Sequence, residues 1–246
     1  MTRRTAQGGK TVYGARVGIV ILDTCMPRIP GDVGNAQTWD FPVIYRRAVG
    51  ATVQRVIFEK GAGLSQPLLD AAMDLVNMGA DGIATTGGYL SLFQKELAAH
   101  VEVPVATSSM MQIPWVKALL PPGKRVGVLT VHGPRLTPDH LVAAGAAPDT
   151  PVVGTENGKE LTRVLIGDEH ELDVEKAEDD MLAAADEMLS RHPDVGALVF
   201  ECHNMAPYSR LVSATFNLPV FDVFTLVTWF HSGIAPRDFG YPTSRR

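Results

Sequence analysis

Arg16-Val17-Gly18-Ile19-Val20 returns as Arg125-Val126-Gly127-Val128-Leu129, and that return decides the fold. Outward from each copy the chain runs a similar course. A strand, a polar turn and a helix lead to a second short strand, around Val103-Pro104-Val105 in one half and Leu218-Pro219-Val220 in the other. Gly87 stands 17 residues before Pro104, and Cys202 stands 17 residues before Pro219. The glycine therefore holds the place that the thiol holds in the other half. Two like halves packed face to face set such turns opposite each other across a cleft. A cysteine on both sides would make a two-base proton-transfer site, but here one side alone carries a thiol.

Val17-Gly18-Ile19-Val20-Ile21-Leu22 is a near-continuous apolar run, the mark of a strand covered on both faces. Asp23 to Thr38, rich in Pro, Gly and Asp, reads as a long loop of the kind that often carries function. Val53 to Phe58 reads as the second strand. Ser65 reads as the cap of a helix that has Pro67 near its first turn and ends at Gly79. A strand over 82–85, a helix over 90–100, a short strand over 104–107 and a helix over 110–120, interrupted near Pro114, complete the half. Pro121-Pro122-Gly123 reads as the joint between lobes. The second half reads as strands at 125–130, near 152 and at 197–200, with helices near 138–144, 158–165 and 173–191. A helix, a strand and a last helix near 224–231 close it.

Strands alternating with helices imply an α/β fold of parallel sheets with helices on both faces. The expected organisation is a flexible lead over 1–14, an N-terminal lobe over 15–122 and a C-terminal lobe over 123–246. The lobes are pseudo-symmetric, with the site in the cleft between them. Ligands of such sheets bind beyond the carboxyl ends of strands, where Gly87 and Cys202 both fall.

The 246 residues suffice for a large core, as one big domain or two lobes. A net charge of −5 with scattered arginines argues against nucleic acid as a partner. No apolar stretch reaches the length of a membrane helix, and no apolar signal-peptide core follows Arg3-Arg4. Cys25 and Cys202 lie far apart in sequence, and free thiols in a reducing cytoplasm are expected. Gly9-Lys10-Thr11 is not a phosphate loop, because Arg4 stands where that motif needs its first Gly and the segment precedes the strand. The acidic run 168–180 reads as a solvated helix face. The histidines lack metal-ligand spacing and no dinucleotide fingerprint follows the first strand, so neither metal nor cofactor is expected. A small carboxylate substrate is the expected partner, and a homo-oligomer is compatible with the sequence.

Glu201-Cys202-His203-Asn204-Met205-Ala206-Pro207-Tyr208 is the strongest chemical signal. A thiol at a strand-to-helix turn feels the helix N-terminus, which favours thiolate. Its ordinary pKa of about 8.5 then needs little help to give an acid or base near neutrality. The plain alternative is a buried cysteine packing as a small hydrophobe; the repeat and the polar neighbours His203 and Asn204 favour function. His203 reads either as a group that tunes the thiol or as an exposed loop histidine. Thr85-Thr86-Gly87-Gly88-Tyr89 offers hydroxyls and N–H groups for a carboxylate or an enolate-like oxyanion, or else a tight turn that needs glycine. Ser108 offers another hydroxyl, or caps a helix. In the loop after the first strand, Arg28 suits a substrate carboxylate, with Asp23 and Cys25 at the same sheet edge. A purely structural loop is the rival reading there.

On these motifs the chain resembles the aspartate/glutamate/hydantoin racemase superfamily through nearly all of residues 15–235. The specific places are Pro27-Arg28-Ile29-Pro30-Gly31-Asp32, the Thr-Thr-Gly-Gly-Tyr turn with Phe93-Gln94, and the Glu201–Tyr208 turn. The resemblance implies a cofactor-independent enzyme of two pseudo-symmetric α/β lobes, whose racemases use one cysteine per lobe beside a carboxylate. Gly87 departs from that pattern. Arylmalonate decarboxylase, a member of the superfamily, is similar in having glycine there and keeping the second cysteine as proton donor. The loop at 27–32 and the Glu-Cys turn also resemble the algal dimethylsulfoniopropionate lyase branch, which keeps both cysteines, so that match is partial. The resemblance therefore implies a decarboxylase or lyase that makes or quenches a carbanion or enolate with Cys202. The alternatives are a racemase in which Cys25, His132 or a water replaces the first cysteine, and a carboxylate-binding protein without turnover.

Overall fold

The computed structural model describes residues 5–240. The first half runs β1 (Val17–Ile21), β2 (Val43–Arg47), α1 (Ser65–Met78), β3 (Gly82–Thr85), α2 (Gln94–His100), β4 (Val105–Ala106) and α3 (Ile113–Leu119). The second runs β5 (Arg125–Thr130), α4 (Pro138–Ala143), β6 (Val152–Gly154), α5 (Leu161–Gly167), α6 (Val174–Arg191), β7 (Val195–Phe200), α7 (Ser209–Phe216), β8 (Val220–Phe221) and α8 (Val223–Ile234). Each half builds a four-stranded parallel sheet, ordered β2-β1-β3-β4 and β6-β5-β7-β8. The repeated Arg-Val-Gly segment supplies the corresponding interior strand, β1 or β5, of each sheet. None of the described helices is long and apolar enough to cross a membrane.

The repeat carries its glycine for a packing reason. A Cβ on Gly18 would stand 2.9 Å from Cβ of Leu75 in α1, and one on Gly127 would stand 2.9 Å from Sδ of Met188 in α6. In each lobe a long helix therefore lies directly on the interior strand. Gly18→Ala is expected to cost about 1–3 kcal/mol through overpacking, because Leu75 Cβ and Ala80 Cβ are fixed to their backbones. Gly127→Ala is expected to cost less, since the Met188 thioether can swing aside. Denaturant titration checks both; an unchanged midpoint for Gly18→Ala would contradict the packing argument.

Two features differ from the sequence reading. Residues 53–58 do not form a strand: Gln54–Phe58 is a π-helical turn, and the second strand is Val43–Arg47. Val53, Val56 and Ile57 turn to one side and line a cavity, while Arg55 ties the turn down by donating to the carbonyls of Gly50 and Ala62. Apolar spacing of i, i+3, i+4 is helical, and it outweighs the β-branched composition here. The second feature is interlacing of the halves. Helix α8 packs on β3 and β4 of the first sheet, where Val223, Leu226, Val227 and Phe230 join Val17, Ile19 and Ala84. Helix α3 packs in turn on β5. The cleft is thus held between two sheets that each depend on the other half for cover.

Candidate active site

Strands β3 and β7 end at the same place in the two lobes, and the turns after them meet around one cavity. Gly87 and Cys202 both line it, with Thr86, Gly88, Tyr89, Glu201, His203 and Asn204 on the polar side. Thr24, Met26 and Arg28 reach in from the long loop, and Leu22, Val53, Val56, Ile57, Val131 and Leu165 make an apolar wall. The cavity volume is about 40 Å³.

Cys202 is 8% exposed, and its Sγ–H points to Oδ1 of Asn204 at 3.6 Å. Burial raises the thiol pKa well above its ordinary range, and the neighbouring Glu201 carboxylate adds to this; the Asn204 N–H opposes it. This direction runs against the thiolate expected from the helix N-terminus. The turn that follows is a single 3-10 turn, Ala206–Tyr208, and desolvation exceeds what its N-terminus can supply.

A chain of polar contacts leads away from the thiol. Asn204 Nδ2 donates to Asp32 Oδ2 at 2.6 Å, and Arg28 Nη1 donates to Asp32 Oδ1 at 3.1 Å. Arg28 Nη2 also donates to Thr24 Oγ1 at 2.8 Å. Asp32 is 2% exposed, so the loop that carries it is fixed beside the Cys202 turn. Gly31 makes that possible: a Cβ there would meet Cα of Pro207 at 3.0 Å.

The Thr85–Gly88 turn divides its groups between structure and cavity. Thr85 Oγ1 donates to the Thr107 carbonyl at 2.6 Å and does not line the cavity. Thr86 Oγ1 accepts from Leu22 N–H at 2.9 Å. Among the described residues, no acceptor takes the N–H of Gly87 or Gly88. Thr86, Gly87 and Gly88 thus line the cavity with two main-chain donors unengaged among the described residues.

Several candidates take other places. Ser108 is a cap, its Oγ accepting from Met110 N–H, and it does not line the cavity. His203 is buried rather than exposed, and both ring nitrogens are spent on main chain of the other lobe: Nδ1–H donates to the Thr85 carbonyl at 2.8 Å, and Nε2 accepts from Ser109 N–H at 3.1 Å. Burial lowers its pKa to about 4, so it is a neutral strut with no ring nitrogen left for an anion. Asp23 is engaged by Gly50 N–H and Arg47. Cys25 is exposed and outside the cavity, with Sγ 3.1 Å from His170 Nε2 and 3.4 Å from Asp168 Oδ2. His132 does not line the cavity either. Both thiols are free.

The sequence reading passed over Glu201. Its side chain is fully buried at the lobe interface, where Oε2 accepts from Thr130 Oγ1 at 2.6 Å. Thr130 in turn meets Tyr89 Oη at 3.1 Å, and Tyr89 donates to the His132 carbonyl. The signal was available: an acidic residue directly after the all-apolar strand β7 has little choice but burial.

Comparison with known proteins agrees with this architecture. No protein-family model matches the chain. Dimethylsulfoniopropionate lyase from Durusdinium sp. clade D is 28% identical over 243 residues, covering 95% of this chain and 80% of that protein. Dimethylsulfoniopropionate lyase 3 from Emiliania huxleyi (strain CCMP1516) is 28% identical over 222 residues; the match takes in 85% of this chain but 57% of that longer protein. Among solved structures, arylmalonate decarboxylase superposes with a TM-score of 0.60 at 16% identity, covering 89% of this chain and 92% of its own. Picrophilus torridus aspartate racemase gives 0.51 at 14% identity, over 91% and 96% of the two chains. The chain therefore shares its fold with arylmalonate decarboxylase and aspartate racemase, and its sequence relatives are dimethylsulfoniopropionate lyases.

Proposed function

We propose that the protein is a lyase acting on a small carboxylate, with dimethylsulfoniopropionate as the first substrate to test. The observation that carries this reading is the one-sided equipment of the cavity: a thiol at Cys202 and bare main chain at Gly87 and Gly88. Inversion at carbon needs a proton removed on one face and returned on the other, whereas elimination needs one proton acceptor. In the elimination, Cys202 as thiolate takes the proton from the carbon beside the carboxylate. The electron pair of that C–H bond becomes the new C=C bond, the C–S bond breaks, and dimethyl sulfide and acrylate leave. The thiol then returns its proton to water.

Burial keeps the thiol protonated when the site is empty. A substrate carrying a sulfonium charge would bring the thiolate within reach, because a nearby cation favours the ionised form. Charge that builds on the substrate carboxylate meets the Thr86 hydroxyl and the N–H groups of Gly87 and Gly88, the preorganised arrangement that usually contributes most to such catalysis. Arg28, already paired with Asp32, borders the same space.

A decarboxylase is the second reading, favoured by Gly87: the absent side chain leaves room for a second carboxylate, and a protonated thiol suits the quenching of a carbanion. Parallel assays decide between them. Dimethyl sulfide is measured in the headspace above dimethylsulfoniopropionate, and carbon dioxide is measured from phenylmalonate. Release of dimethyl sulfide is expected. Carbon dioxide alone would select the decarboxylase, and binding of a carboxylate without either product would leave a binding protein.

A further inference from the structure

Glu201 has one oxygen whose role the fold does not explain. Oε2 accepts from Thr130, and the Tyr89 N–H also bears on the carboxyl. Oε1 is buried and has no partner among the described residues. It lies beside Gly88, where a Cβ would run into both this oxygen and the Glu201 carbonyl, and Glu201 and Gly88 both line the cavity. A carboxyl serving the lobe interface alone would have both oxygens satisfied, since an unpaired buried polar atom is costly.

We propose that Oε1 of Glu201, in the carboxylic acid form, donates a hydrogen bond to a carboxylate or enolate oxygen of the ligand, on the side of the cavity where Gly87 provides no side chain. The role rests on the reading of the cavity as a carboxylate site. The pattern of neighbours fits an acid rather than an anion. Thr130 donates to Oε2 and the remaining oxygen has no partner, so a proton there would satisfy the group beside the cavity that Glu201 and Gly88 line. Burial pushes the carboxyl up to about 8, against the hydrogen bonds from Thr130 and Tyr89, so the acid form prevails at neutral pH. A neutral carboxylic acid in an apolar site is a strong donor to a developing oxyanion. The ionisable neighbours do not reverse this. Cys202 and Tyr89 are held neutral by burial; Glu156 and His140 stand beyond Tyr89, and Arg28 and Asp32 bear on Cys202.

The sign of the pH dependence follows. The donor is present below its titration and is lost as pH rises through it. A glutamine at this position would present the same pattern without titrating: its carbonyl accepts from Thr130, and its NH₂ takes the place of Oε1.

Calorimetry tests this in a Cys202→Ser background, which separates binding from turnover. The probes are dimethylsulfoniopropionate, acrylate and phenylmalonate, each titrated from pH 6 to pH 10 against proteins with Glu201 kept, Glu201→Gln or Glu201→Leu. For the probe that binds, affinity with Glu201 kept is expected to fall by about tenfold per pH unit once the acid has ionised. Glu201→Gln is expected to bind comparably at low pH and to hold that affinity at high pH, and Glu201→Leu to bind weakly throughout. Affinity independent of pH with Glu201 kept, a Gln variant as weak as the Leu variant, or no binding of any probe would overturn the assignment. If Glu201→Leu fails to fold, the Gln variant and the pH dependence still decide it. Binding in the expected pattern by a protein that forms neither dimethyl sulfide nor carbon dioxide would keep this role and remove the catalytic reading.

Discussion

Replacing Cys202 with serine is expected to lower turnover by about 10²–10⁴-fold, the range of a general acid–base group, with the fold unchanged. The polar contacts of Sγ are with Asn204 alone, its side chain and its main-chain N–H, so the substitution removes no structural bridge. A serine hydroxyl is a far weaker acid than a thiol, and it cannot carry the proton at neutral pH even with a cation beside it. Circular dichroism and thermal unfolding report the fold, and headspace dimethyl sulfide reports turnover. Cys25→Ala is expected to leave turnover unchanged, since that thiol faces Asp168 and His170 outside the cavity. An inactive Cys25 variant beside an active Cys202 variant would reverse the assignment.

The second large effect is a gain. Gly87→Cys is expected to create exchange of the proton beside a carboxylate with inversion, expected to be absent from the parent, by placing a second thiol on the other side of the cavity from Cys202. The backbone permits it: Gly87 has φ −139°, open to any residue. The space is tight rather than blocked, because a Cβ would stand 3.2 Å from Cδ1 of Leu22 and 3.6 Å from Cγ of Leu90. A shift of a few tenths of an ångström in the Leu22 side chain admits it. Solvent deuterium incorporation and enantiomer composition, followed for acidic amino acids and 2-aryl carboxylates, measure the effect. Rapid inversion by the parent itself would contradict the one-thiol account and call for another second base.

The fold was legible because its two signals are local and repeated. A buried parallel strand is apolar almost throughout, as at Val17–Ile21 and Arg125–Thr130, and the glycine inside each marks helix contact. The π-helical turn at 54–58 was misread because Val-Ile-Phe composition suits either a strand or a buried helical turn, and only the three-dimensional partner decides. The crossing of α3 and α8 between sheets is likewise a tertiary fact without a local signature.

The lining of the candidate cavity was legible where a turn follows a strand, at Thr86–Gly88 and Cys202–Asn204, because the ends of parallel strands converge there. It was not legible where a side chain chooses between main chain and cavity. Thr85, Ser108 and His203 stand in the right turns, but their polar atoms satisfy buried backbone groups of the fold. The ionisation state of Cys202 was beyond the sequence too, because it depends on how completely the second lobe's turn is covered by the loop from the first.

The most direct test of the central claim is a crystal structure of the Cys202→Ser protein with bound dimethylsulfoniopropionate. The account predicts one carboxylate oxygen within hydrogen-bond reach, about 2.6–3.2 Å, of the Gly87 or Gly88 N–H, with the adjacent carbon against the residue 202 side chain. A ligand lodged elsewhere, or a carboxylate turned to the apolar wall of Val53, Val56 and Ile57 with its carbon away from residue 202, would contradict it.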